Sequence, residues 1–273
     1  KGPVLNPALR IPAEFVAPST EDMHLPPLFE VGSLAFGKQS LLILFSVVLI
    51  GAGFMYMIRR RAMVPSKGQY LGEMGYGFFR NHLGRDIIGE KDFRPFIPLL
   101  FSFFFFILVN NLFGSIPLVQ LPTFSHPGSA YVMAAIAYVV WVFVGIRRHG
   151  FGQFMVKMTM PPNVPKILYV ILIPLEFLSN LIIRPVTHAL RVFATMFAGH
   201  MAMMVAAGLT AYLATEVGGI VGIGGSVFGI VLGLFIYFLE LLIQVLQAYI
   251  FTLLFAVYVQ GALCLLYTSD AAD

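Results

Sequence analysis

Between Leu41 and Ile58 the chain carries no charged residue, and the same holds from Pro95 to Phe113 and from Ala130 to Ile146. Runs of this length confine the fold more than any other feature does. About 20 predominantly apolar residues are needed to cross the hydrocarbon core of a bilayer, and a helix satisfies its backbone hydrogen bonds within itself where water cannot. Two further stretches, Val164 to Leu213 and Val227 to Leu263, stay apolar over a length too great for one upright helix, so tilted or bent helices are expected there. With 59% hydrophobic and 11% charged residues and a mean hydropathy of +0.87, the chain lies far from the soluble balance. The expected fold class is all-α: a polytopic membrane protein with upright transmembrane helices, one amphipathic surface helix and two long tilted antiparallel helices.

The order of segments follows from charge and proline. Residues 1–37 are rich in proline and polar residues and are expected to form an irregular extracytoplasmic segment. The first span ends at Arg59, Arg60 and Arg61, and the third at Arg147, Arg148 and His149. Both basic stops fall on the same, cytoplasmic side when the spans are counted. Between Gly68 and Asp92, Leu71, Met74, Phe78, Leu83 and Ile87 recur near helical spacing, which predicts the amphipathic helix, lying on the cytoplasmic surface. Pro174 and Pro185 interrupt the fourth segment, and Gly218 to Ser226 reads as a glycine-rich outer turn between the two long helices, about 164–216 and 227–263. Residues 38–263 are expected to make a single membrane domain. The run from Cys264 to Asp273 follows the last span abruptly and the chain begins at Lys1, so both ends read as truncated or foreign, and 264–273 is set aside. The expected setting is a plasma membrane crossed several times, N-terminus outside and C-terminus cytoplasmic.

Several polar residues interrupt the long helices. Counting outward from Gly219 at about 1.5 Å per residue, Arg191 and Gln247 stand at one depth, and His200 and Glu240 at another, nearer the outer surface. At about 100° per residue, Arg191 and His200 take nearly opposite faces of one helix, while Glu240 and Gln247 share a face of the other. A guanidinium stays protonated, and its cost at a bilayer centre runs upward from about 3 kcal/mol. A fixed charge on one face, with a His/Glu pair on another, is the arrangement a proton route needs. The plainer readings are that Arg191 neutralises a buried acid, that His200 only packs, and that Gln247 hydrogen-bonds between helices. Glu176 and Asn180, one turn apart on the inner half, either line an inward path or mark a helix end. Arg184 reads as interfacial, and Met196, Met201, Met203 and Met204 as packing. The one cysteine, Cys264, excludes an intrachain disulfide and a multi-cysteine metal site; no cofactor or metal is expected.

The stretch "RPVTHALRVFATMFAGH", with "LLIQVLQAYIF" from Leu241 to Phe251 and "NNLFGSIP" from Asn110 to Pro117, resembles subunit a of the rotary F-type ATP synthases, of bacterial type. The likeness covers most of the chain from the first span to Gly261. It implies that Arg191 is the essential stator arginine, with His200, Glu240 and Gln247 in and around an outer half-channel. In some family members the acid stands at the position of His200 and the histidine at that of Glu240; here the order is exchanged. Ala194 and Thr195 replace the glycine and asparagine that many relatives carry after the arginine, and "THAL" replaces a serine-containing run. Thr195 keeps a hydroxyl but loses an amide donor.

The resemblance implies a proton-translocating stator subunit that offers two offset half-channels, separated by Arg191, to the carboxylates of a c-ring. Implied partners are the c-ring, peripheral-stalk subunit b, the rest of the ATP synthase and the lipid bilayer. Nucleic acid is not among them, since a formal charge of +4 is accounted for by basic stops beside the spans. No glycine-rich loop ending in Lys-Ser or Lys-Thr is present, so nucleotide belongs to another subunit. The rival class is a self-contained ion-coupled transporter. Such a protein calls for repeated halves with paired broken helices, and no such symmetry is evident.

Overall fold

A computed structural model describes residues 29–31, 34–58, 67–116, 119, 121–160, 165, 168–217 and 219–264. The arginines at 59–61, most of segment 1–37 and the tail beyond 264 lie outside the described residues. A short antiparallel hairpin, β1 (Phe29–Val31) with β2 (Leu34–Phe36), precedes the helices, where an irregular segment is expected. The rest is helical: α1 (Lys38–Ile58), α2 (Lys67–Phe78), α3 (Ile97–Leu112), α4 (Pro127–His149), α5 (Phe151–Thr159), α6 (Tyr169–Leu178), α7 (Arg184–Tyr212) and α8 (Gly219–Cys264). Among the described residues five helical stretches are long and apolar enough to cross a membrane, and two of them are long: Tyr169–Val217 with 49 residues and Gly219–Leu263 with 45. This is the architecture of a multi-pass membrane protein.

Hydrogen bonds assign the helix ends to two sides. Lys38 Nζ donates to the Val119 carbonyl at 2.6 Å and Gln39 Nε2 to that of Thr123 at 2.9 Å, which ties the start of α1 to the loop between α3 and α4. At the other side Arg148 pairs with Asp92 at 3.5 Å, and His149 Nε2 lies 2.9 Å from the Ala262 carbonyl. The start of α3, the end of α4 and the end of α8 therefore meet there.

Lipid tails are as apolar as leucine, so close packing rather than expulsion from water holds such helices together. The core sits where α8 meets α3, α4 and α7. Ala248 and Ala256 of α8 are fully buried and let backbones approach, while Phe103 of α3 stands edge-on to Phe255 at 5.0 Å and to Phe251 at 5.8 Å. Asn110 Nδ2 donates to Ser46 Oγ at 2.9 Å, fixing α1 to α3 inside an otherwise apolar contact.

The segment expected as an amphipathic helix is helical, with Arg80, Asn81, Arg85 and Asp86 exposed, but its buried stripe differs from the expected one. Phe79–Ile88 winds as a π-helix, whose wider i→i+5 bonding shifts the buried stripe to Phe79, Leu83 and Ile88, while Met74 and Phe78 of the expected face are exposed. A second π turn, Ser179–Ile183, joins α6 to α7. Pro185 accounts for it: a helical proline lacks an N–H and its ring crowds the carbonyl four residues earlier, here Leu181, inside the widened turn.

The glycine-rich run also differs from its expected role. Gly219–Ser226 is not a loop but the first two turns of α8, and reversal is confined to the residues around Gly219, whose φ of +61° suits a residue without a Cβ. The later glycines serve contact. A Cβ on Gly222 would stand 2.7 Å from the Leu213 carbonyl, and one on Gly225 would stand 3.1 Å from the Leu213 side chain. Gly222→Val is therefore expected to loosen the helical hairpin by about 1–3 kcal/mol, read as a lower melting temperature of the purified membrane sector. Gly224→Val, with open space around the new Cβ, has the same helix propensity and serves as the control; equal melting of the two variants would refute the close-contact role.

Candidate functional site

Helix α7 carries its polar residues on two different sides. Arg191 is exposed, whereas Val192, Met196 and His200 are buried. Among the described residues the Arg191 guanidinium has no hydrogen bond and no carboxylate within ion-pair distance, so none of them is the neutralising acid of the plainer reading. Thr195, half-buried, turns its hydroxyl back to the carbonyls of Arg191 at 2.8 Å and Val192 at 3.1 Å. It is thus occupied within its own helix, a bond that Ser and Thr commonly make mid-helix.

Opposite it, Glu240 of α8 is 1% exposed and lies against Gly199. A Cβ placed on that glycine would stand 3.3 Å from Glu240 Cγ, so the small residue opens the space that the carboxylate fills. His200 is 8% exposed, its Nδ1 buried without a partner. The two residues stand at one level, though no hydrogen bond joins them. Glu240 Oε1 accepts from Gln244 Nε2 at 3.2 Å, Gln244 Oε1 accepts from Ser115 Oγ at 2.9 Å, and Tyr237 Oη donates to the Ser115 carbonyl at 3.2 Å. Glu240 Oε2 is buried and unpartnered. Gln244 and Ser115 were not foreseen from the sequence, although both lie inside the runs "LLIQVLQAYIF" and "NNLFGSIP" and Gln244 falls one helical turn from Glu240 on the same face.

A cavity of about 990 Å³ opens on this level from the side of the α7–α8 reversal, lined by His200, Ser115, Tyr237, Lys38, Thr210 and Met203 among others. Met204 lines it too, whereas Met196 is fully buried and Met201 half-buried. The histidine stands at the cavity's wall and the carboxylate behind it.

Gln247 shares the buried face of Glu240 and Gln244, and its Nε2 is buried without a partner; the expected interhelical hydrogen bond from that nitrogen is not made. Nor do Arg191 and Gln247 hydrogen-bond to each other. On the inner half, Asn180 is 3% exposed and donates to Glu176 at 3.1 Å and to the Met158 carbonyl of α5 at 2.8 Å. The Arg184 guanidinium lies over the rings of Tyr258 at 5.6 Å and Trp141 at 6.0 Å, a cation–π arrangement. His188, unassigned from the sequence, is 4% exposed, and its ring centre lies 4.0 Å from that of Phe251.

The family model described as ATP synthase A chain matches residues 40–260. The chain is similar to the ATP synthase subunit a of Pseudarthrobacter chlorophenolicus, at 49% identity over 94% of this chain and 97% of that protein. It is also similar to the proteins of that name from a Nocardioides strain, at 43% identity over 91% and 93%, and from Streptomyces lividans, at 36% over 91% and 88%.

Proposed function

This chain belongs to the ATP synthase A chain family, and from that premise we propose that Arg191 is the fixed charge past which the ion-carrying carboxylates of a rotating partner move. The chain is the proton-translocating stator subunit of an F-type ATP synthase. The observation that carries the assignment to Arg191 is its exposure on α7 with no carboxylate within ion-pair distance among the described residues: a permanent charge in an apolar setting takes its counter-charge from a partner outside the fold described. A c-ring with one carboxylate per subunit supplies that counter-charge, and subunit b is the expected second neighbour.

The cavity reaching His200 and Ser115, with Glu240 and Gln244 behind them, is the outer half-channel. Its polar atoms alternate donor and acceptor roles at one level, and a proton entering there is delivered towards the ring from the side that Arg191 does not face. Glu176 and Asn180 line the way out on the inner half. Gln247 borders the stator charge, and Thr195 holds the helix turn that carries it. The end bearing Arg147 and Arg148 is cytoplasmic by the positive-inside rule, which sets the cavity mouth and the start of α1 outside. The segment Lys67–Ile88 lies along the cytoplasmic face. A self-contained transporter has no support, because membership of this family accounts for the same polar residues.

Cysteine chemistry in the whole complex, with Cys264 replaced, tests the arrangement. A cysteine at position 191 is expected to crosslink to one beside the ring carboxylate, and cysteines at 200 and 240 to react with a small hydrophilic thiol reagent added from outside. Crosslinking of position 200 but not 191 to the ring would invert the assignment and make Arg191 a structural counter-charge.

A further inference from the structure

A second polar cluster lies on the inner side of Arg191. Tyr138 Oη and Trp141 Nε1 of α4 and both ring nitrogens of His188 of α7 are buried, and none has a hydrogen-bond partner among the described residues. Buried polar groups are satisfied in nearly all folded proteins, by protein or by ordered water. These residues line one small cavity, with Arg184 and Tyr258 closing it. Its volume is about 10 Å³. That is the lower bound for a single water molecule, about 10–15 Å³ by this measure, and it excludes a lipid tail, a hydrated ion or a file of waters. The Arg184 guanidinium at its edge excludes a bare cation.

Donor and acceptor counting fits the same occupant. An indole N–H only donates, a phenol does either, and a neutral imidazole donates on one nitrogen and accepts on the other. A water takes two hydrogen bonds and gives two, so the Trp141 N–H can donate to it while it donates to Tyr138 Oη and to an imidazole nitrogen. Position along the helix adds a further point. Asn180, Arg184 and His188 follow one another at intervals of four residues, Asn180 and His188 both buried, and Arg191, on the exposed side of α7, stands about 4.5 Å beyond His188 along the axis.

We propose that this cavity is a binding site for one internal water, held by Tyr138, Trp141 and His188, and that His188 is a positioning residue that sets this water as the innermost station of the inner proton path. This deepens the stator reading above and rests on it. The imidazole, tilted against Phe251, turns one nitrogen to the water and so continues the polar path from Asn180 towards the level of Arg191.

Two substitutions separate this role from packing. Phenylalanine at 188 keeps a ring on Phe251 and removes both nitrogens, whereas glutamine loses the ring and keeps a donor and an acceptor. In the intact enzyme in vesicles, His188→Phe is expected to lower ATP-driven proton pumping by about tenfold or more, while His188→Gln stays within about threefold. In a cryo-EM map of the wild-type complex fine enough to show waters, a density peak is expected within hydrogen-bond distance of Trp141 Nε1 and Tyr138 Oη, and it is expected to vanish in His188→Phe. Pumping better retained by phenylalanine than by glutamine, or no such peak in the wild type, would overturn the proposal. Unimpaired His188→Phe pumping alongside an inactive Arg191→Ala would overturn this inference alone; an active Arg191→Ala would overturn the stator reading beneath it.

Discussion

Arg191→Ala is expected to abolish ATP-driven proton pumping, by about a hundredfold or more, while the complex still assembles. Assembly survives because the side chain is exposed on α7 and makes no hydrogen bond or ion pair among the described residues, so its removal leaves no cavity and no stranded partner. Function fails because a charge has been lost. At about 4 Å and an effective dielectric near 20, two unit charges attract by about 4 kcal/mol, equivalent to roughly three pK units on a facing carboxylate. Without that term a ring carboxylate entering the apolar interface keeps its proton, and the two half-channels are no longer separated by a fixed cation. Lysine is expected to substitute poorly, since it lacks the planar fork and sheds its proton when desolvated. Near-normal acidification of vesicles by an assembled Arg191→Ala enzyme would remove the stator assignment.

The second large effect concerns His200 and Glu240. Each single exchange, His200→Glu or Glu240→His, places two like groups at one level and is expected to cut pumping by about a hundredfold. The double exchange restores one acid and one base there and is expected to recover to within about tenfold of wild type. Gly199 is the reason for that recovery: the space beside position 240 is made by the absence of a side chain, not by a specific bond to the carboxylate. Gln244 stays in reach of position 240 and can donate to or accept from either group. Pumping of the double variant no better than that of the worse single variant would show that the two residues do not act as a pair.

The spans were legible from sequence because lipid imposes one demand, apolarity over a fixed length, and Leu41–Ile58 or Ala130–Ile146 meets it without exception. Depth was legible too. Counting from the reversal set His200 beside Glu240, and the Gly199–Glu240 contact lies at that level. Winding was not legible: neither the π turn at Ser179–Ile183 nor that at Phe79–Ile88 leaves a mark on polarity, and the second displaced the buried stripe from Phe78 to Phe79. The glycine run misled because glycine serves both reversal and close contact, and only the partner helix, here the Leu213 carbonyl beside Gly222, decides between them. Gln244, Ser115 and His188 were passed over for a similar reason. A polar residue in an apolar run acquires meaning from what stands across from it, and for these three the counterpart lies more than 60 residues away.

The length of α8 turns depth into lateral position. Its 46 residues span about 69 Å, longer than the roughly 45 Å of a bilayer with its headgroups, so an α8 that keeps both ends at the membrane is tilted. Every step along it is then partly a step sideways. The nine residues from Arg191 to His200 on the antiparallel partner cover about 13.5 Å of axis, shared between depth and displacement in the plane of the membrane. The proposed stator charge and the proposed channel histidine are therefore separated in the plane of the membrane as well as in depth.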